Sequence, residues 1–161
     1  MKEIINLIRE NILNLKPYKS ARDSYESGLL LDANENSFGS VVEFNNVELN
    51  RYPDPKHTKL RNALSNYLDI PFGNIFCGVG SDEIIDLLVR ILCVPTKDNV
   101  IIAEPTYGMY KVACDINNVE TKEVLLNNDF SLNPQTIIDS SDTNTKIIFL
   151  CSPNNPTGNL L

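Results

Sequence analysis

The sequence predicts an α/β fold in which helices cover a largely parallel sheet. From residue 74 onward, short apolar segments alternate with segments whose apolar residues recur at helical spacing. The apolar segments are nearly continuous in isoleucine, valine and leucine, which is typical of strands buried on both faces. Glycine-rich or proline-rich turns follow three of these segments, at the strand ends where open α/β sheets bind ligands.

Four strands and three helices are predicted downstream of residue 74. We expect Ser81 to be the N-cap of the first of these helices, because a serine side chain can accept a hydrogen bond from a first-turn N–H group. The last strand is wholly apolar after Lys146. The predicted strands cover residues 75–77, 100–103, 119–126 and 146–151, and the predicted helices cover residues 82–92, 106–116 and 134–139.

The first 73 residues have less regular patterning. Residues 2–15 predict an amphipathic helix that ends at Pro17, and residues 16–56 are irregular apart from a short strand candidate at 29–31. Residues 58–68 predict a second helix. We expect five residues of that helix to face inward: Leu60, Ala63, Leu64, Tyr67 and Leu68.

Composition indicates a soluble globular protein of one ordinary domain. The chain has 161 residues, of which 42% are hydrophobic and 22% are charged. No apolar run approaches the ~20 residues that span a bilayer, and the N-terminus has no signal-peptide core, so neither a membrane partner nor secretion is expected. The formal net charge of −7 argues against nucleic acid as a partner.

The four cysteines predict packing rather than metal chemistry. They are widely spaced, contain no CxxC pair, and lie in or beside apolar segments. We therefore expect no metal site, and we interpret them as reduced thiols in a cytoplasmic protein.

The turn GVGSDE at residues 78–83 is suited to an anion. Its glycines allow close backbone approach, and the N–H groups at the start of the following helix favour negative charge. It is neither a Walker A loop nor a complete dinucleotide fingerprint. Taken alone, the motif is better explained as a tight strand-to-helix turn with an N-cap, and a place in the first helical turn is explanation enough for Asp82 and Glu83.

Two further turns follow predicted strands. Tyr107, in the segment PTY, could stack on a planar ligand or could belong to the core, although Tyr110 suits the core better. The segment SPNNPTG at residues 152–158 holds two asparagines between prolines, and an amide there could donate to a ring oxygen without carrying charge. The alternative is an ordinary turn.

Five ordered motifs together carry a family resemblance. The segments LDANEN (31–36), NRYPDP (50–55), GVGSDE (78–83), EPTYGMY (104–110) and SPNNPTG (152–158) resemble the fold type I aminotransferases that use pyridoxal 5′-phosphate. The pattern is most similar to the histidinol-phosphate aminotransferase subfamily. The resemblance implies a mainly parallel sheet with flanking helices. It also implies that residues 1–45 are an N-terminal arm with part of the small domain, and that residues 46–161 are the N-terminal portion of the large cofactor-binding domain.

The resemblance assigns a role to each matching position. It implies that the amides of Gly80, Ser81 and Asp82 hold the cofactor phosphate. Tyr107 would stack on the pyridine ring and Asn155 would hydrogen-bond its phenolic oxygen. Tyr52 would reach the cofactor phosphate of the neighbouring subunit in a homodimer.

Substrate contacts are implied at three positions, Asn34, Glu35 and Phe38. Many family members carry tyrosine where this chain has Phe38, so no hydroxyl is available there. The implied substrates are small molecules, an amino donor and a 2-oxo acid.

The group that performs the chemistry is expected outside this chain. In the family, the Schiff-base lysine follows the SPNNPTG-type turn, so we expect it after Leu161 and expect the 161-residue chain to be an inactive fragment. Lys111 and Lys146 are expected to be solvated rather than catalytic. His57, the single histidine, is expected on the surface.

Three functions remain open from the sequence. The first is amino transfer between L-histidinol phosphate and 2-oxoglutarate in histidine biosynthesis. The second is another reaction of the same fold, either threonine-phosphate decarboxylation or aromatic amino transfer. The third, of another class, is a non-catalytic fragment that only binds phosphate or a partner.

Overall fold

Residues 14–16 and 54–161 are described by a computed structural model of the chain. The chain divides into two units, Lys19–Gly78 and a larger unit formed by Met1–Tyr18 with Val79–Leu161, which are described separately. In chain order the elements are α1 (Thr58–Leu68), a 3-10 turn (Phe72–Asn74), α2 (Gly80–Leu92), β1 (Asn99–Glu104), α3 (Met109–Asn117), β2 (Glu120–Leu125), α4 (Pro134–Ser140) and β3 (Thr145–Phe149).

The larger unit is built on a three-stranded parallel sheet of order β2-β1-β3. Strand β1 lies in the centre, with Val100 opposite Thr121 of β2 and Ile147 of β3. All of β1 except its last residue is buried, as the apolar run predicted.

Helices cover both faces of this sheet, because successive side chains of β1 point in opposite directions. One face packs against α2 and α3, and the other against α4. The buried cluster on the first face contains Ile85, Val89, Cys93, Val100, Ile102, Ala113, Cys114 and Val119, and that on the second contains Ile101, Ala103, Val124, Leu126 and Ile137. The predicted α/β architecture is confirmed.

The predicted strand at residues 75–77 is absent. Ile75 has an extended backbone, but the segment has no strand assignment and Phe76 is 68% exposed. Extended backbone becomes a strand only when a neighbour pairs with it, and the described sheet supplies no such neighbour.

The prediction that strands are buried on both faces holds for β1 but is wrong for β3. Burial alternates along β3, with Ile148 44% exposed, because β3 pairs with β1 alone in the described sheet. Only a central strand is covered by neighbours on both edges and both faces.

Helix α1 has the predicted bounds but not the predicted burial. None of its residues is buried, and Leu60, Ala63, Tyr67 and Leu68 are all exposed. A helix buries its apolar stripe only where another element packs on it. In the described part of this unit the 3-10 turn packs on α1, where Arg61 lies over the Phe72 ring at 3.9 Å and donates to the Phe72 carbonyl at 2.7 Å.

The starts of two helices differ from the prediction. Ser81 lies inside the first turn of α2 rather than at its N-cap, which is Val79. Helix α3 begins at Met109 instead of 106, because the residues before it form a loop with its own hydrogen bonds. Between residues 54 and 161, no helix combines the length and apolarity that a membrane crossing requires.

Candidate functional site

The loops that follow β1 and β3 lie at the same edge of the sheet. The two strands are parallel neighbours, so their carboxyl ends point the same way. The chain leaves β1 for β2 on one side and returns to β3 on the other. In open α/β sheets, ligands bind in the crevice at such a switch in strand order.

Asn154 joins the two loops. Its side chain is buried, with 3% exposure. Its Oδ1 accepts a hydrogen bond from the Thr106 hydroxyl at 3.0 Å, and its Nδ2 donates to the Pro105 carbonyl at 2.9 Å and to the Thr157 hydroxyl at 2.8 Å. The predicted site segments 105–107 and 152–158 are therefore connected directly.

The turn at residues 152–158 also closes on itself. The Asn154 N–H donates to the Asn159 carbonyl at 2.8 Å, and the Gly158 N–H donates to the Asn154 carbonyl at 2.7 Å. Gly158 has a φ of 74°, a left-handed conformation that glycine adopts without strain. Asn155 projects from this closed turn and is exposed, so its amide is accessible to a ligand.

The first turn of α2 presents three backbone donors. Helix geometry leaves the N–H groups of Gly80, Ser81 and Asp82 without a carbonyl partner inside the helix. The Val79 N–H is already used, because it donates to the Glu83 carboxylate at 2.5 Å. The three remaining amides and the helix dipole together favour an anion.

Tyr107 connects the loop after β1 to the start of α2. Its hydroxyl donates to Asp82 Oδ1 at 2.8 Å. Its half-buried ring packs edge-on against Tyr110, with 5.7 Å between ring centroids. Tyr110 stacks on Phe149 at 4.7 Å, so it is part of the core as predicted, and burial raises the pKa of its hydroxyl to about 12.

At the start of α2, an anion would be attracted by the backbone amides and repelled by two carboxylates. Asp82 and Glu83 carry negative charge in the same turn as the free amides. Both carboxylates are engaged, Asp82 by the Tyr107 hydroxyl and Glu83 by the Val79 amide. Because both carboxylates bond to other donors, the amides of Gly80, Ser81 and Asp82 stay available to a phosphate group.

Two of the four cysteines, Cys93 and Cys114, are buried thiols. Burial raises the pKa of the Cys93 thiol and raises that of Cys114 to about 11, so both stay neutral at physiological pH. Cys151 donates to the Pro153 carbonyl at 3.4 Å. All four cysteines are free thiols.

The basic side chains considered in the sequence lie on the surface. Lys111 is exposed on α3 and forms an ion pair with Glu123. Lys146 is exposed at the amino end of β3, with its Nζ 3.7 Å from Asp98. His57 is exposed immediately before α1. These three surface predictions are confirmed.

The structure brings together some of the predicted site residues. Asp82 and Tyr107 are in contact. Asn155 follows Asn154, whose side chain bonds its turn to the Tyr107 loop. The other predicted residues, Tyr52, Asn34, Glu35 and Phe38, lie outside the described part of the chain.

Asn154 is the residue that sequence reasoning missed. The pattern of two asparagines between prolines marks both Asn154 and Asn155, yet it does not reveal which of them is buried. The signal that could have identified it is its spacing of three from Thr157, since short polar side chains at such spacing often bond within a turn.

Comparison with protein families gives a match over most of the chain. The model of the family described as aminotransferase class I and II matches residues 27–161. The histidinol-phosphate aminotransferase of Bacteroides thetaiotaomicron is 49% identical over 162 residues, which cover 99% of this chain and 45% of that protein. That of Schizosaccharomyces pombe is 45% identical over 171 residues, covering 100% of this chain and 44% of that protein. The chain thus spans about half the length of these relatives.

Solved structures of the same fold are also similar. The histidinol-phosphate aminotransferase of Clostridium acetobutylicum has a TM-score of 0.58 and 26% identity, covering 70% of this chain and 32% of that one. The enzyme of the same name from Sinorhizobium meliloti, solved with pyridoxal-5′-phosphate, has a TM-score of 0.62 at 23% identity over 68% of this chain and 29% of that one, which supports the fold alone.

A solved structure with a different activity is similar as well. The L-threonine-O-3-phosphate decarboxylase of Porphyromonas gingivalis has a TM-score of 0.54 and 26% identity, covering 69% of this chain and 31% of that one. Fold similarity therefore extends across different reactions. The activities of these similar proteins differ, but the family model matches residues 27–161 of this chain. The chain belongs to the aminotransferase class I and II family.

Proposed function

We propose that the polypeptide to which this chain belongs transfers an amino group between L-histidinol phosphate and 2-oxoglutarate in histidine biosynthesis. The observation that carries this proposal is the identity of 45–49% to histidinol-phosphate aminotransferases of a bacterium and a yeast, along essentially the whole chain. The family membership implies dependence on pyridoxal phosphate, and small-molecule substrates.

The proposed cofactor roles are those that the family resemblance implies, and the contacts at the sheet edge support them. The N–H groups of Gly80, Ser81 and Asp82 bind the phosphate, Tyr107 stacks on the pyridine ring, and Asn155 donates to the phenolic oxygen. The bound cofactor supplies an electron sink for the reaction. This chain's residues bind and orient it.

The remaining assignments are carried from the family resemblance. In the proposal, Asn34, Glu35 and Phe38 lie near the substrate, and Tyr52 reaches the cofactor phosphate of a second subunit in a homodimer. Residues 1–45 contribute to the arm and small domain, and residues 46–161 to the large domain. A cytoplasmic location is supported by the four free thiols.

A substrate assay on the full-length polypeptide tests the proposal. We expect turnover of L-histidinol phosphate with 2-oxoglutarate, and little or none of phenylalanine or threonine phosphate. Glutamate formation, followed by a coupled dehydrogenase, measures the transfer. Release of carbon dioxide from threonine phosphate without glutamate formation would contradict the proposal.

Threonine-phosphate decarboxylation is the second candidate. It is favoured by the structural similarity to the decarboxylase of Porphyromonas gingivalis. Aromatic amino transfer is the other reaction of the same fold, and turnover of phenylalanine in the same assay would support it. A non-catalytic role, in which the chain only binds phosphate or a partner, would leave every arm of the assay without product.

A further inference from the structure

We propose that Asn154 is a positioning residue that holds the Tyr107 loop and the Asn155 turn in one arrangement. This inference rests on the proposed function, since it assigns the two ends of this link to one cofactor pocket. Asn154 itself is buried and faces the protein, so it acts through its neighbours and not by touching the cofactor.

The Asn154 side chain uses its hydrogen-bonding capacity almost completely. An asparagine amide has two N–H donors and an acceptor oxygen. Both donors are engaged, with Pro105 and Thr157, and the oxygen accepts from Thr106. A buried polar group that is satisfied in this way specifies one geometry, because any shift leaves a partner without its bond.

The amide chemistry at this position is required, not only the size of the side chain. The Pro105 carbonyl is an acceptor and cannot donate, so its partner at 2.9 Å must be a donor. An aspartate would have the same shape but would turn a carboxylate oxygen towards that carbonyl. Asn154→Asp therefore replaces an attraction by a repulsion at nearly constant volume.

The link runs from Asn154 to both predicted ring contacts. On one side, Pro105 and Thr106 lead directly into Tyr107, whose hydroxyl is bonded to Asp82 at the start of α2. On the other side, Asn155 is the next residue in the chain. A change at Asn154 consequently reaches the Tyr107 loop, which lies almost 50 residues earlier in the sequence, through these hydrogen bonds.

Hydrogen–deuterium exchange on the 161-residue chain tests the link. We expect Asn154→Asp to accelerate exchange in residues 105–110 by about tenfold or more, since buried hydrogen-bond partners lose their match. Asn155→Asp is the matched control, because it makes the same chemical change at the adjacent, exposed position and should leave exchange in residues 105–110 unaltered. Equal exchange in both variants and the wild type would overturn the proposal.

A second variant covers the case in which Asn154→Asp fails to fold. Thr106→Val removes one hydrogen bond to Asn154 from the opposite loop and keeps the side-chain volume. We expect it to accelerate exchange at residues 152–158, with far-UV circular dichroism unchanged. Unaltered exchange there, in a folded Thr106→Val chain, would overturn the proposal.

Cofactor affinity in the full-length polypeptide tests the consequence. The dissociation constant of pyridoxal 5′-phosphate, measured by absorbance titration of the apoprotein, should rise about tenfold or more in Asn154→Asp. Faster exchange with unchanged affinity would overturn the positioning role. If the wild type binds no pyridoxal phosphate, the proposed function fails and the cofactor part of this inference fails with it, whereas the exchange result still decides whether the link exists.

Discussion

Adjacent side chains of the same type have opposite environments in this chain. Asn154 is 3% exposed and holds two loops together, whereas Asn155 is exposed at the tip of the same turn. The backbone N–H and carbonyl of Asn154 are both bonded within the turn, to Asn159 and Gly158, and its side chain bonds to the Tyr107 loop, whereas Asn155 faces solvent. Burial, and not residue type, assigns one asparagine to structure and leaves the other available to a ligand.

A glycine requirement is expected at position 80. Gly80 has a φ of 77°, and no atom beyond its chain neighbours and its own helical turn lies within 4 Å of the place where a Cβ would stand, so strain rather than crowding opposes a side chain. We expect Gly80→Ala to lower the free energy of unfolding by about 1–2 kcal/mol, the cost of a left-handed backbone for an L-residue. Urea denaturation measures this.

Gly80→Asn is the rescue variant, since asparagine tolerates a left-handed backbone better than alanine. Gly80→Asn should lower the free energy of unfolding by less than Gly80→Ala does. Gly73→Ala is the control, because that glycine also has open space around it and no left-handed φ. Equal losses in the Gly80 variants and the Gly73 control would contradict the strain argument.

The lowered pKa of Asp54, which precedes α1, predicts that the stability of the folded chain depends on pH. Asp54 accepts hydrogen bonds from the N–H groups of Thr58 and Lys56, at 2.8 and 2.9 Å. Hydrogen bonding from the side chain and backbone of Thr58, then from the backbone of Lys56, lowers the pKa of Asp54 to about 2. Because the pKa of Asp54 in the folded chain lies below its ordinary value, the ionised carboxylate stabilises the folded state. This contribution is complete at neutral pH and is lost as the pH falls towards 2.

A titration of the Asp54 carboxyl by nuclear magnetic resonance checks this. We expect a midpoint well below that of an ordinary aspartate. Thr58→Ala should move the midpoint upward, because it removes the hydroxyl that contributes most to the shift. A wild-type midpoint in the ordinary range near pH 4 would contradict the prediction.

At the scale of elements, position in the sheet determines burial more than composition does. Strands β1 and β3 both contain consecutive isoleucines, yet β1 is buried almost throughout and β3 alternates. The difference arises because β1 has a strand on each side and helices on both faces, whereas β3 pairs on one side in the described sheet. Similar apolar segments therefore contribute unequally to stability.

A matched pair of substitutions measures this difference. Ile101 of β1 is 0% exposed and Ile148 of β3 is 44% exposed, and the two residues are partners across the strands. We expect Ile101→Ala to destabilise the chain by about 2–5 kcal/mol, because it leaves a cavity in the core. Ile148→Ala should cost much less, as its side chain already contacts water. Equal losses in urea denaturation would show that β3 is covered as well as β1.

At the scale of the whole molecule, the chain matches less than half the length of a similar protein. It spans 45% of the length of the histidinol-phosphate aminotransferase of Bacteroides thetaiotaomicron while matching that protein over 99% of its own residues. The candidate site presents backbone N–H groups, a tyrosine ring and an amide, whereas Lys111 and Lys146 lie on the surface. In the proposed function, neither of these two lysines supplies the reacting amine.

The isolated 161-residue chain is expected to lack transaminase activity. Reduction with borohydride in the presence of pyridoxal phosphate, followed by peptide mass mapping, should give no single stoichiometric adduct on a lysine in residues 1–161. The full-length polypeptide treated in the same way is the control and should give one adduct. One specific adduct within residues 1–161 would contradict the expected place of the lysine.

Much of the fold could be predicted because its signals are local. The periodicity of apolar residues marks helices and strands, and β1, α4 and the turns after β1 and β3 lie where the sequence indicates. The segment at 75–77 and the inward face of α1 could not be predicted, because a strand needs a partner and an apolar helix face needs a covering element. Both depend on residues distant in the chain.

The sequence by itself determined the family, the α/β class and the turns that carry the candidate site, because motif residues and apolar periodicity are properties of neighbouring positions. Tertiary structure decided which residue of each turn makes contacts within the protein and which is accessible to a ligand. It placed Tyr107 against Asp82, gave β1 the central position, and buried Asn154 instead of Asn155. These outcomes depend on which loops meet at the sheet edge, and strand order, which no local pattern encodes, controls that meeting.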